Sequence, residues 1–310
     1  MTRISGLAIL LVWTLISTSA NASDGLSEHT LVHEGIERQY LRYVPPAAHQ
    51  IGTPKQLIIL LHGGGGTGRS MMRSTGFNRL AAREGFVGLY PSGVNRHWND
   101  GRPQYQGVDD VGFILAAIQE TMAEIQFLDE TQIFLAGMSN GGHMIQRLIC
   151  EQAARFAGAA IVTAQLTPEL IKSCRPSKPL GILYINGTED PLMPFDGGPI
   201  APQWGSRGTV TSTAETLDFW RMHNTCASFP KVTQLPDLDA TDGTLTERLD
   251  WPDCAPGAPL RLYRINGGGH AWPRKKQYLP ERVIGRTSKD IDANDLIIDF
   301  FKSLDRAGKN

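Results

Sequence analysis

The segment that most restricts the fold is Gln56–Leu61 (QLIILL), an apolar run that leads straight into His62 and four glycines. A strand with one wet face alternates polar and apolar residues. An unbroken run needs cover on both faces, which places it inside a sheet flanked by helices. The pattern returns at Gly85–Pro91, Thr131–Gly137, Phe156–Thr163, Pro179–Gly187 and Leu260–Gly269. Between these runs lie stretches of helical period. In Val108–Ile125, Val111, Ile114, Leu115 and Ile118 share one face. Asn140–Gln152, Ser212–His223 and Asp292–Leu304 read likewise, and Ser212 with Glu215 forms a capping box. Strands alternating with helices predict an α/β chain with a mostly parallel, doubly wound sheet in one domain over residues 23–310. A hairpin turning near Glu34-Gly35 precedes the alternation, which runs from residue 56 onward. Asp190–Thr211 is rich in Gly and Pro without a period, and a long irregular loop in a compact domain is expected to border a site.

Residues 1–22 read as a cleaved signal peptide: Arg3, a short apolar stretch from Gly6 to Ile16, then Ala20-Asn21-Ala22. The stretch is too short to span a bilayer comfortably, so a secreted or periplasmic protein without a stable membrane anchor is expected. The 30 basic and 31 acidic residues balance to a net charge of -1, which argues against nucleic acid as a partner. Four cysteines in an exported chain suggest disulfides, and the two short loops favour Cys150–Cys174 and Cys226–Cys254. No Cys/His cluster suggests a metal site. Asp237–Gly243 (DLDATDG) resembles a calcium loop, but Asp242 stands where glycine is required and Arg248 where the bidentate Glu belongs, so it reads as a turn between strands.

The glycine loop Leu61–Ser70 (LHGGGGTGRS) fits three anion-binding templates. As a phosphate loop it has Arg69 where lysine belongs. As a dinucleotide loop it lacks an acidic residue at the end of the next strand. As an HGGG oxyanion loop it needs a nucleophile nearby. Gly137-Met138-Ser139-Asn140-Gly141 supplies one: G-x-S-x-G between a strand and a helix is the pattern of a nucleophile elbow. A serine needs a base. Of eight histidines, His270 stands directly after a late strand, behind three glycines; His97, in a loop, is a second candidate. The acid that orients the imidazole should follow a strand and lie between the two in sequence. Asp190 does both, with Glu189 as its rival; Asp109 and Asp110 precede the serine. Ser139, Asp190 and His270 are therefore the expected triad. Backbone N–H groups of Gly64 or Gly65 and of Asn140 are the expected oxyanion donors. Trp98, Met193, Phe195, Trp204 and Trp272 are candidate pocket walls.

The stretches LHGGGGTG, HWNDG, VDDVGF, GMSNGGHM, INGTEDPLMPF, HNTC and INGGGHAWP occur in this order. Together they resemble the exported polyhydroxybutyrate depolymerase and feruloyl esterase group of α/β-hydrolases. The resemblance covers nearly the whole mature chain. It implies a cofactor-independent serine esterase with the same triad, HWNDG and VDDVGF lining or supporting the site, Trp98 against the substrate, and a Cys226–Cys254 disulfide; Trp272 is the second substrate contact expected from the residues. The expected substrate is an ester: a hydroxybutyrate oligomer or polymer, or a feruloyl or acetyl sugar ester. A peptidase or thioesterase of the same fold, or a binding protein that has lost catalysis, are the rival readings.

Overall fold

The computed structural model describes residues 25–46, 55–205 and 207–307, and the side chains up to residue 304. The signal peptide expected at residues 1–22 lies outside the described residues. The strands are β1 (Leu26–His33), β2 (Ile36–Tyr43), β3 (Lys55–Leu61), β4 (Val87–Pro91), β5 (Leu128–Met138), β6 (Gly158–Val162), β7 (Gly181–Gly187), β8 (Gly198–Pro199), β9 (Thr209–Val210), β10 (Lys231–Gln234), β11 (Leu245–Trp251) and β12 (Leu260–Asn266). The helices are α1 (Gly68–Thr75), α2 (Phe77–Glu84), α3 (Asp110–Glu124), α4 (Asn140–Gln152), α5 (Pro168–Ser173), α6 (Thr213–His223), α7 (Glu281–Ile284) and α8 (Ala293–Ala307).

Ten strands form one sheet in the order β1-β2-β4-β3-β5-β6-β7-β12-β11-β10. From β4 to β12 all neighbours run parallel, and a pair of antiparallel strands extends each edge. The β1–β2 hairpin closes through Glu34 and Gly35, both at positive φ (48° and 78°), the twist that a two-residue hairpin loop requires.

The unbroken apolar strands divide residue by residue between two cores. Leu57, Ile59 and Leu61 of β3 face one way and join residues of α3, α4 and α6, such as Phe113, Leu148 and Trp220. Ile58 and Leu60 face the other way, toward α1, α2 and α8, where Met71, Phe77 and Phe301 cover them. Each such side chain contributes roughly 1.5–3 kcal/mol on burial. A third, small cluster of Leu192, Met193, Ile200, Ala201, Val210 and Ile284 gives the irregular segment after β7 a core of its own. Disulfides join Cys150 to Cys174 and Cys226 to Cys254, each closing a loop of similar length (24 and 28 residues apart). The DLDATDG segment is a hydrogen-bonded turn between β10 and β11: Asp239 binds Thr241 and Lys289, and Asp242 binds Thr244. Among the described residues no helix is long and apolar enough to cross a membrane.

Parallel topology decides where chemistry can sit. β3, β5, β7 and β12 all end on one edge of the sheet, and Leu61 pairs with Gly137 and Ile265 with Gly187 at those ends. The glycine loop, Ser139, Asp190 and His270 each follow one of these strands.

Candidate active site

Ser139 occupies the sharp turn from β5 into α4 at φ 57°, ψ −124°, a conformation costly for any residue with a Cβ. Its N–H donates to Val162 O (3.0 Å), and its carbonyl accepts from His143 N–H (2.9 Å), which holds the turn. The flanking glycines are steric necessities. A Cβ at Gly141 would stand 2.3 Å from Leu61 O and 2.6 Å from His62 O; one at Gly137 would stand 2.8 Å from Ile145 Cδ1. Among the described residues Ser139 Oγ makes no hydrogen bond, and it opens into a cavity of about 790 Å³ that His270 also lines.

His270 Nδ1 lies 2.7 Å from Asp190 Oδ2. A carboxylate only accepts, so Nδ1 carries the proton and Nε2 is left with a free lone pair. The other Asp190 oxygen accepts from the N–H groups of Leu192 and Met193, both at 2.8 Å. Both side chains are buried, and Tyr278 Oη donates to His270 O (3.2 Å). Glu189 points elsewhere: it is exposed and paired with Arg286. Asp109 is taken by His33, and Asp110 by Arg38. His97 lines the same cavity, but its Nδ1 contacts Asn95 O (2.9 Å) and its ring stacks on Tyr105; no carboxylate of the described residues orients it.

The glycine loop is anchored by the histidine that opens it. His62 Nε2 accepts from Gly93 N–H (3.0 Å), so Nδ1 must donate to Gly63 O (2.8 Å). Burial lowers the His62 pKa to about 4 and keeps the ring neutral. The two proposed glycine donors differ. Gly65 N–H is spent on Arg96 O (2.8 Å), which removes it as an oxyanion donor. The N–H groups of Gly64 and of Asn140, at the start of α4, have no acceptor among the described residues. They are neighbours, since a Cβ on Gly64 would lie 3.8 Å from Asn140 Cβ.

Asn140 is fixed from its side chain. Its Oδ1 accepts from Trp98 N–H (2.8 Å), and its Nδ2 donates to Trp98 O (3.1 Å) and Asp100 Oδ2 (2.6 Å). Trp98 corrects another expectation. Its indole is fully buried, donates to His62 O (2.9 Å) and does not line the cavity, so it is a brace behind the glycine loop rather than a substrate contact. Trp272 does line the cavity, with its Nε1 held by Asn294 Oδ1 (2.8 Å). Met193 and Trp204 line it too, whereas Phe195 does not.

A buried polar group supports this brace. Asp100 accepts from Arg102 Nε (3.0 Å) as well as from Asn140, and His143 Nδ1 lies 3.4 Å away. Burial raises the Asp100 pKa, but His143 and Arg102 more than offset it and hold the carboxylate ionised. Burial lowers the pKa of His143. Asp110, at the start of α3, accepts from Asn99 N–H (2.6 Å) and so ties VDDVGF to HWNDG. The resemblance implies a supporting role for HWNDG and VDDVGF, and Asp100, Arg102 and His143 carry it without any local sequence signal. The arrangement has the parts that acyl transfer needs: a hydroxyl on a strained elbow, an imidazole oriented by a carboxylate, and two adjacent free amides.

No protein-family model matches the chain. A protein of Nocardia uniformis subsp. tsuyamanensis that carries an esterase name, NocK, is 33% identical over 287 residues, covering 87% of this chain and 80% of its own. Feruloyl esterase B of Piromyces equi is 29% identical over 199 residues, 62% of this chain but only 35% of that protein. This chain thus spans about a third of that relative's length. The solved acetyl xylan esterase from Aspergillus awamori superposes with a TM-score of 0.59 over 89% of this chain and 99% of its own, at 15% identity, which speaks for the fold alone. By these relatives the chain belongs to the feruloyl esterase-like group of α/β-hydrolases, and it is a carboxylic ester hydrolase.

Proposed function

We propose that this protein is an exported serine esterase that works through an acyl-enzyme, with Ser139 as nucleophile, His270 as base and Asp190 as the acid that orients it. The observation that carries the reading is the pairing of His270 Nδ1 with Asp190 at 2.7 Å in the cavity that Ser139 faces. Ser139 Oγ attacks the ester carbonyl carbon while His270 Nε2 takes its proton. The carbonyl oxygen becomes an oxyanion on the N–H groups of Gly64 and Asn140. As the C–O bond breaks, His270 returns the proton to the leaving alkoxide. Water, deprotonated by His270, then attacks the acyl-serine; as the bond to Ser139 Oγ breaks, His270 returns the proton to Oγ and the acid leaves. Asp190 stabilises the imidazolium in both steps. Two disulfides suit an exported chain.

For the substrate we favour feruloyl or acetyl sugar esters over hydroxybutyrate oligomers. The feruloyl esterases among the relatives are named for an aromatic acyl group, and the cavity offers flat apolar walls in Trp204, Trp272 and Tyr105. The test is hydrolysis of 4-nitrophenyl acetate, methyl ferulate and a hydroxybutyrate trimer by the wild type and by Ser139→Ala. A fall of several orders of magnitude in the variant supports the mechanism, and the preferred wild-type substrate decides between ester classes. An active Ser139→Ala refutes the assignment.

A further inference from the structure

The lining of the cavity carries charge of one sign. Among its lining residues are Arg69, Arg73, Arg102, Arg207, Lys275 and Lys276, and there is no Asp or Glu. The chain as a whole is balanced, with 30 basic and 31 acidic residues, so this asymmetry is local. Three of the six are neutralised: Arg69 by Glu28, Arg102 by Asp100 and Lys275 by Asp292. Arg73, Arg207 and Lys276 have no carboxylate partner among the described residues.

These three come from separate parts of the chain: Arg73 from α1, Arg207 from the segment before β9, and Lys276 from the loop after His270. They share the cavity lining with the buried apolar side chains of Met71, Leu192, Met193 and Ile200. A neutral ester would gain only from the apolar walls. Cations left unpaired around a low-dielectric cleft focus a field that favours an anion there, and the effect reaches about a Debye length into solvent.

We infer that the preferred substrate is an ester that also bears a carboxylate, held by Arg73, Arg207 and Lys276 while its ester group reaches Ser139. This rests on the esterase reading and adds a charge requirement to it, one that a feruloyl or acetyl ester of an acidic sugar meets and an ester of a neutral sugar does not. The carboxylate takes no part in bond making. It raises the encounter rate and holds the substrate, so its effect belongs in kcat/KM and weakens with salt.

The test compares mono-4-nitrophenyl adipate with 4-nitrophenyl hexanoate, which differ by the terminal carboxylate on the acyl chain. On the alcohol side it compares 4-acetoxybenzoate with 4-acetoxybenzamide. Each rate is divided by that ester's own hydroxide-catalysed rate. In at least one pair the acid is expected to be preferred by about tenfold or more at low salt. That preference should shrink as ionic strength rises from about 20 mM to about 500 mM. The double variant Arg73→Gln/Lys276→Gln, both exposed side chains, should lower the acid-to-neutral ratio several-fold. The salt series on the wild type needs no variant, so a folding defect cannot hide the answer. Ratios near one in both pairs, with hydrolysis abolished by Ser139→Ala, overturn the charge requirement and leave the esterase reading intact. So does product inhibition without a kcat/KM preference. Hydrolysis that does not depend on Ser139 overturns the esterase reading and this inference with it.

Discussion

His62 makes the glycine loop sensitive to acid, and the size of the effect follows from its hydrogen bonds. The ring is buried and neutral, with Nε2 committed as acceptor to Gly93 N–H. Burial leaves no water to solvate the charge of a protonated ring, and a proton on Nε2 would also face the Gly93 donor. Its pKa accordingly falls from 6.5 to about 4. A histidine whose folded pKa is lowered binds its proton more readily when unfolded. Its contribution is therefore complete above the unfolded pKa and is lost as pH falls from 6.5 toward 4. Between pH 7 and pH 5 the loss is roughly 2 kcal/mol, from 1.36 kcal/mol per unit over the part of the shift traversed. The measurement is urea unfolding of the disulfide-bonded protein at both pH values, beside His62→Gln. Glutamine keeps an oxygen near Nε2 but cannot titrate. His143 is present in both proteins, so its own lowered pKa cancels in the comparison. The wild type should lose roughly 2 kcal/mol more than the variant over this range. Parallel losses would show that His62 is not a buried neutral ring, and the anchoring described for the glycine loop would fall with it.

Gly141→Ala should abolish activity and cost several kcal/mol in stability, because its Cβ would meet two backbone carbonyls that cannot rotate away; a variant with wild-type melting would contradict the packing. Trp98→Phe removes the donor to His62 O and should lower unfolding stability by about 2 kcal/mol. Because Trp98 does not line the cavity, kcat should fall while KM for 4-nitrophenyl acetate holds; a rise in KM alone would return Trp98 to the role of substrate contact. Replacing Cys226 and Cys254 by serine opens a loop spanning 28 residues and should cost roughly 3 kcal/mol, read as a lower melting temperature without reductant. An unchanged melting temperature would mean that the bond adds no constraint to the unfolded chain.

Much of this architecture was legible because the signals were local. The β3 run reads as a two-faced strand from six adjacent residues, and the Ser212–Glu215 capping box opens α6 where its spacing placed it. The fold class followed from such runs alternating with stretches of helical period, and the family resemblance from short stretches in a fixed order. What stayed hidden depends on partners distant in sequence. Gly64 and Gly65 look alike in the chain, and only Arg96 O distinguishes them. Trp98 reads as a pocket wall until its indole is seen bonded to His62 O, 36 residues away. Nothing in HWNDG singles out Asp100, because Asn140, which it fixes, lies 40 residues on. α1 and α2 escaped notice because each is only eight residues long and they meet at Gly76, which ends one and begins the other.

The close approach of Gly141 to the carbonyls of Leu61 and His62 has a consequence for how such a site can be altered. Backbone touches backbone there, so the glycine loop and the elbow behave as a single casting whose gap no side-chain exchange can adjust. Other parts of the lining are made of replaceable side chains: those from Leu192 to Trp204, on a segment with a small core of its own, and those from Lys275 to Leu279. Variation confined to those parts would reshape what enters while the distance from hydroxyl to amide donors stays fixed. A library built on those two stretches should therefore yield altered preferences at high frequency, and one built on residues 62–66 and 137–142 should yield mostly inactive protein.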